Sequence, residues 1–365
     1  MGAVFNLLLI RELAFKLGVE GFAEYALNLA YVGVVFQILI TPVIQLSKAS
    51  LNDNNAKLSL NLGLLVIGLA FISGVMVPLI FNVQSIIIFY LLFESCYQIS
   101  WSALQVQGKR LIFIIGHAGL SILSFLLIFI FKPNNLHDVF ILIAVPRAII
   151  SLLYLIKIKV KKKNYYLFKS YKKYTFQIAL SNIGIALNNH ADKFVFEQNS
   201  NLTDLGNYSA AHSIIGKPFN IITGAFVSYN NSCIYKINDS NYFLRIRRIR
   251  KLFLLTIFIS SLLVYSMSEL ILKLILPDKF LINKTLILLL IIGFFFQSMS
   301  QLFEAEFYAR KKSSQLLIIT IVGGVFNLFL NIVLIPHYGA IGAGISMSIG
   351  FFIQCALAGI IIRKK

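Results

Sequence analysis

Apolar stretches long enough to cross a bilayer follow one another along almost the whole chain, each closed by a short polar or basic segment. At about 20 residues per membrane-spanning helix, the pattern predicts spans at 2–17, 22–47, 58–81, 84–106, 111–131, 137–156, 174–196, 208–235, 252–276, 285–309, 313–335 and 340–362. That makes about twelve transmembrane helices and an all-α polytopic membrane protein. The first span is short: a helix of its length rises only ~24 Å, less than the ~30 Å hydrocarbon core. We expect a truncated start; the alternative is a helix that tilts with its neighbours.

Charge fixes the sidedness. With the N-terminus in the cytoplasm, the segments after the even-numbered spans hold Lys48 and Lys57, Lys109 and Arg110, the basic run 157–173, Lys236 with Arg245, Arg247, Arg248, Arg250 and Lys251, then Arg310, Lys311 and Lys312, and finally Arg363, Lys364 and Lys365. The opposite loops hold only Lys132, Lys279 and Lys284. Cytoplasmic loops carry the excess of Lys and Arg in membrane proteins, so both termini are expected inside, and a missed span would scramble the alternation. The same placement explains the net charge of +19 without nucleic acid, because basic residues at inner span ends orient helices and attract anionic lipid headgroups.

Composition agrees and excludes other classes. The chain of 365 residues is 58% hydrophobic and 13% charged, about half the charge of a soluble protein, which leaves no material for a soluble enzyme domain. Cys96, Cys233 and Cys355 lie far apart with no metal-ligand spacing, so neither a metal nor another cofactor is expected. No phosphate-binding GxxxxGK[ST] loop occurs, which excludes ATP as a partner on this chain. The longest outer loop, around 198–207, has about ten residues. That argues against a glycosyltransferase or polymerase, whose catalytic sites often use long outer loops.

An internal repeat appears at an offset of 183 residues. Tyr25-Ala26 aligns with Tyr208-Ser209, Gly33 with Gly216, Phe36 with Phe219, and Gln37 with Asn220. The offset corresponds to six spans, so the repeat would be parallel, about an axis along the membrane normal. We therefore expect two six-helix lobes flanking a central cavity: an N-terminal lobe at 1–156, a basic cytoplasmic linker at 157–173 and a C-terminal lobe at 174–365. Three motifs then carry a resemblance: Arg11, Leu17-Gly18 and Tyr25 at the start; Ala191-Asp192-Lys193 followed by Leu205-Gly206-Asn207-Tyr208-Ser209-Ala210-Ala211; and Ile335-Pro336-His337-Tyr338-Gly339-Ala340-Ile341-Gly342-Ala343-Gly344. In this order and spacing they resemble the oligosaccharide-lipid flippases of the multidrug/oligosaccharidyl-lipid/polysaccharide exporter superfamily, best the Wzx type that serves O-antigen and capsule. The resemblance implies a V-shaped fold, alternating access in a bacterial cytoplasmic membrane, and a transporter rather than an enzyme. It also implies an undecaprenyl-pyrophosphate-linked oligosaccharide as substrate, with polymerase and chain-length proteins of the same pathway as partners.

Ionisable groups at membrane depth cost ~2.5–3.5 kcal/mol each on insertion scales and mark pathways or pairs. Arg11, Arg147, Lys193 and Lys217 are the candidates to line a passage for pyrophosphate, Arg as a bidentate fork and Lys as a point charge. Arg147 follows Pro146 and Lys217 precedes Pro218, and a proline kinks its helix and frees a carbonyl. The alternative for Arg147 is an internal salt bridge with Glu94. Glu24, Glu94 and Asp192 are candidate cavity or coupling acids. His117, His190 and His212 also lie at depth. Glu269 and Lys273, four apart, are expected to pair on one helix face, and Glu304 and Glu306 to pair with the 310–312 cations. Asn188, Asn220, Gln297 and Asn327 are candidates for sugar contacts, although amides also bind helices together. A multidrug exporter of the same superfamily is the alternative function; it should favour acids in its cavity, where cations dominate here.

Overall fold

The computed structural model describes residues 2–43, 90–98, 110–157, 168–199, 201–235, 241–310 and 312–363, and every regular element among them is helical. In chain order these are α1 (Gly2–Val35, continued by a π-helical turn at Phe36–Ile40), α2 (90–98), α3 (Arg110–Phe131), α4 (Leu136–Lys157), α5 (Phe168–Gln198), α6 (Leu202–Tyr235), α7 (Tyr242–Ile275), α8 (Lys284–Ala309) and α9 (Ser313–Arg363). The predicted span 58–81 and most of 84–106 lie outside the described residues, and so does the side chain of His117. The count of twelve depends on those segments too.

Two elements are too long for one crossing. Val4–Val43 and Ser313–Ile362 are apolar over 40 and 50 residues, and 40 residues of helix rise about 60 Å, twice the hydrocarbon core. Each is interrupted where the sequence predicts a boundary between spans. The first breaks at Gly18, with φ 67 and ψ −169. The second breaks at Gly339, with φ 53 and ψ −131. Backbone conformation favours glycine there, and a Cβ at Gly339 would in addition have to displace the Asp204 carboxylate.

The chain divides into two compact units. One comprises Met1–Gly21 and Leu27–Asn182, the other Phe22–Ala26 and Ile183–Lys365. Within the first, α3 packs on α4, and Asn6 of α1 donates to Ser121 Oγ of α3 at 2.9 Å. Lys16 donates to the Ile128 carbonyl at 2.9 Å, so this membrane-depth cation caps the C-terminal end of α3, where the helix dipole favours positive charge.

Within the second unit, α8 is the central helix and touches α9, α6 and α7. α7 shows how such a helix satisfies lipid and protein together. Ile246, Ile249, Phe253, Ile257, Ser260, Val264, Ser268 and Leu272 form its buried stripe at three- and four-residue spacing, while Leu255, Phe258, Leu262 and Leu270 on the other side are exposed. Apolar residues on both faces suit a helix with lipid on one side, and small serines on the buried face let neighbours approach. α5 and α9 come closer still: a Cβ on Gly184 would overlap the Thr320 carbonyl, and one on Gly324 would stand 3.0 Å from the Gly184 Cα.

Helix α5 begins at Phe168, inside the predicted linker 157–173, the first of three helix starts that differ from the sequence reading. The basic stretch before 252 is read there as cytoplasmic loop, yet α7 begins at Tyr242. Its apolar positions Ile246 and Ile249 already have helical spacing and are buried. The outer loop at 198–207 shrinks because α6 starts at Leu202. Asn201 caps it, accepting from the Asp204 backbone N–H at 3.1 Å while its amide donates to the Asp204 carboxylate at 2.8 Å.

Candidate functional site

Arg147 lies in α4 directly after Pro146, whose ring removes one backbone donor from the helix. Its Nε donates to the Glu94 carboxylate of α2, its Nη1 reaches the Ile143 carbonyl at 2.7 Å, and the guanidinium sits 4.8 Å from the Tyr90 ring centroid. Gln98 donates to the other Glu94 oxygen at 2.8 Å. Arginine suits this site because a planar ion can fork to a carboxylate and stack on a ring together. Arg147 is therefore half of an ion pair and not a solitary cation, and both partners retain 15% side-chain exposure. Arg11, in the same unit, is exposed and stands 5.3 Å over the Phe15 ring one turn on.

The second unit holds the other two predicted cations. Lys193 is buried and meets the Asp192 carboxylate at 3.3 Å. Neighbours in a helix normally point apart, and two bends bring these together. Asp192 Oδ1 turns back to accept from the Lys193 backbone N–H at 2.8 Å, and Lys193 Nζ folds along the helix to the Asn189 carbonyl at 3.2 Å. The Tyr208 hydroxyl of α6 donates to the Met347 sulfur of α9 at 4.0 Å. The His212 ring lies 5.7 Å from that of Tyr208 and 4.8 Å from that of Phe294. Lys217, before Pro218 in α6, is half-buried, and Asn220 one turn on is exposed, as is Glu24.

Amides join α5, α8 and α9. Asn188 donates to Gln354 at 2.7 Å, Asn327 donates to the Asn188 carbonyl at 3.2 Å, and Asn331 donates to Asn327 at 2.5 Å. Gln354 in turn donates to Glu304 at 3.2 Å, and Gln297 to Asn189 at 3.3 Å. Asn188 and Asn327 are thus buried between helices, a position that ties helices together. Gln354 escapes sequence reasoning because its partner Asn188 is 166 residues away and a single glutamine in an apolar helix carries no pattern.

Two charge pairings also depart from expectation. Glu269 meets Lys284 across the α7–α8 corner at 2.5 Å rather than pairing with Lys273. Of the two glutamates near the inner end of α8, Glu306 receives the fork of Arg250, with Nε at 2.6 Å, and stands 3.6 Å from Arg310. Glu304 instead belongs to the amide network through Gln354.

Comparison with known proteins bears on the fold. The protein-family model for the lipid II flippase MurJ matches residues 232–365. Among curated proteins no sequence match was found. Among solved structures, the chain is similar to a lipid II flippase MurJ in an inward closed conformation, at a TM-score of 0.70 and 16% identity, covering 99% of this chain and 86% of that one. It is similar to an inward-facing multidrug resistance MATE family transporter of the MOP superfamily at 0.73 and 13%, covering 100% and 94%. It is also similar to a MOP superfamily transporter from Pyrococcus furiosus, described for the reversed polarity of its binding pocket, at 0.62 and 13%, covering 99% and 92%. The chain thus has the all-helical fold shared by MurJ and MATE transporters and is a multi-pass membrane protein.

Proposed function

We propose that the protein is a flippase that moves undecaprenyl-pyrophosphate-linked oligosaccharide units across the bacterial cytoplasmic membrane by alternating access of two lobes, for O-antigen or capsule. The observation that carries this reading is the match of residues 232–365 to a lipid flippase family, on a chain whose fold is that of exporters over its full length. The charges suit it. Arg147 and Lys193 each meet a carboxylate, which keeps them aimed while no substrate is present. A pyrophosphate offers the same fork geometry with more charge and replaces the carboxylate as partner, while Lys217 and Arg11 supply further charge along the route. Glu94 and Asp192, released in that exchange, are the places where a coupling ion would act. Both termini are cytoplasmic in this reading, and the polymerase and chain-length proteins of the pathway are its partners.

A second reading, export of organic cations, draws on the similarity to MATE transporters. Proteoliposomes distinguish the two. Labelled undecaprenyl-pyrophosphate oligosaccharide should become accessible from the opposite leaflet in protein-containing vesicles. Cationic dye transport without lipid movement would overturn the proposal.

A further inference from the structure

A cavity of 440 Å³ opens beside the C-terminal half of α6, lined by Ile222, Ala225, Phe226, Tyr229 and Asn230 of that helix and by Leu252 of α7. Its size falls in the ~300–1,000 Å³ range of ligand pockets, and its lining is apolar apart from Asn230 and the Tyr229 hydroxyl. Asn230 already donates its amide to the Phe226 carbonyl at 2.9 Å, so it asks little of an occupant. Behind the cavity, the ring of Phe226 packs on that of Phe253 at 4.7 Å, which fixes the spacing of the two helices.

Its depth and surroundings identify what fills it. Leu252 is the first exposed apolar residue after the basic turns of α7. Arg248 lies one turn before it on the same face, about 6 Å nearer the helix start, and Lys251 is its neighbour. Arg247, Arg248 and Lys251 are all exposed. The nearest acid on α8, Glu306, is occupied by Arg250 and Arg310, and no carboxylate among the described residues lies within ion-pair distance of Arg247, Arg248 or Lys251. Tyr229, 81% exposed at the cavity rim, is the residue type that gathers at headgroup level. An apolar cavity starting at that depth opens to lipid tails, and the charge beside its mouth is positive.

We propose that this cleft between α6 and α7 is a binding site for one anionic phospholipid of the leaflet on the basic side, its phosphate on Arg248 and Lys251 and one acyl chain in the cavity. The site is separate from the ion pairs assigned to transport, and its failure would leave that reading untouched.

Native mass spectrometry of the purified full-length protein in detergent, titrated with phosphatidylglycerol or phosphatidylcholine of equal chain length, tests it. Wild type should bind phosphatidylglycerol in preference. Arg248→Gln with Lys251→Gln should weaken phosphatidylglycerol about thirtyfold, from the attraction that each basic residue exerts on anionic lipid, and abolish the preference. Ala225→Phe, which fills the cavity without touching charge, should weaken both lipids. Lipid-free melting temperatures equal to wild type establish that the variants fold. The proposal is overturned if either variant binds phosphatidylglycerol as tightly as wild type. It is equally overturned if glycerophosphoglycerol, the headgroup without chains, competes as well as the intact lipid, or if undecaprenyl phosphate displaces phosphatidylglycerol at equimolar concentration.

Discussion

Removing Arg147 should separate folding from transport, given the right second substitution. Arg147→Ala leaves Glu94 with Gln98 as its remaining donor and takes away the stack on Tyr90. Breaking a buried pair by deleting one partner costs about 3–5 kcal/mol. At 15% exposure for both side chains, some water reaches Glu94, so the lower end applies: about 3 kcal/mol, or roughly a hundredfold in the folded-to-unfolded ratio. That is a large share of the ~5–15 kcal/mol that holds a typical domain together, and the amount of folded protein in the membrane should fall. The double variant Arg147→Met with Glu94→Gln keeps the volume and removes both charges, and replacing a buried ion pair in this way is often neutral. Its abundance should return to the wild-type level. Surface-polysaccharide export, measured in the same cells, should not return if Arg147 is the cation that takes the pyrophosphate, as proposed. Recovery of export together with abundance would refute the transport role and leave the pair purely structural. Arg147→Lys should fall between, since it keeps the charge and loses the fork and the stack.

Three further outcomes are expected. Gly339→Ala should lower the melting temperature, with about 1–3 kcal/mol from the positive-φ backbone alone; adding Asp204→Ala should relieve the collision without removing that backbone term. Asn188→Ala and Gln354→Ala should be coupled in a double-mutant cycle by about 0.6 kcal/mol, the average for hydrogen bonds between membrane helices, as read by unfolding in detergent; strict additivity would mean the two amides do not act together. Cysteines placed at Arg248 and Asn201 should react with impermeant reagent from opposite sides of the membrane, and labelling from one side would break the proposed topology.

Helix positions were legible in the sequence because hydropathy reports the solvent, and lipid imposes a length on every crossing. Even the interruptions at Gly18 and Gly339 fall between predicted spans. Partnerships were less legible. The Glu94–Arg147 pair could be named as an alternative because few acids are available at that depth, whereas Gln354 reaches Asn188 and Glu304 only through tertiary packing. The start of α7 was misread for a physical reason: charge density marks the membrane boundary but does not end a helix. Arg245 and Arg250 are good helix formers, and Glu306 gives Arg250 a partner across the helix interface.

The contact between Gly184 and Gly324 limits how the second unit can move. Packed helices usually rearrange by shear, with side chains shifting rotamers as one helix slides along another. Here backbone faces backbone, with no side chain between to absorb a displacement. A slide by one turn would bring Leu180 or Asn188 to the Thr320 carbonyl, where even a methyl group collides. The part of α5 from Ile183 onward and the first part of α9 therefore travel as a single body. Bending is left to a place where the chain already departs from helical geometry, and in α9 that place is Gly339.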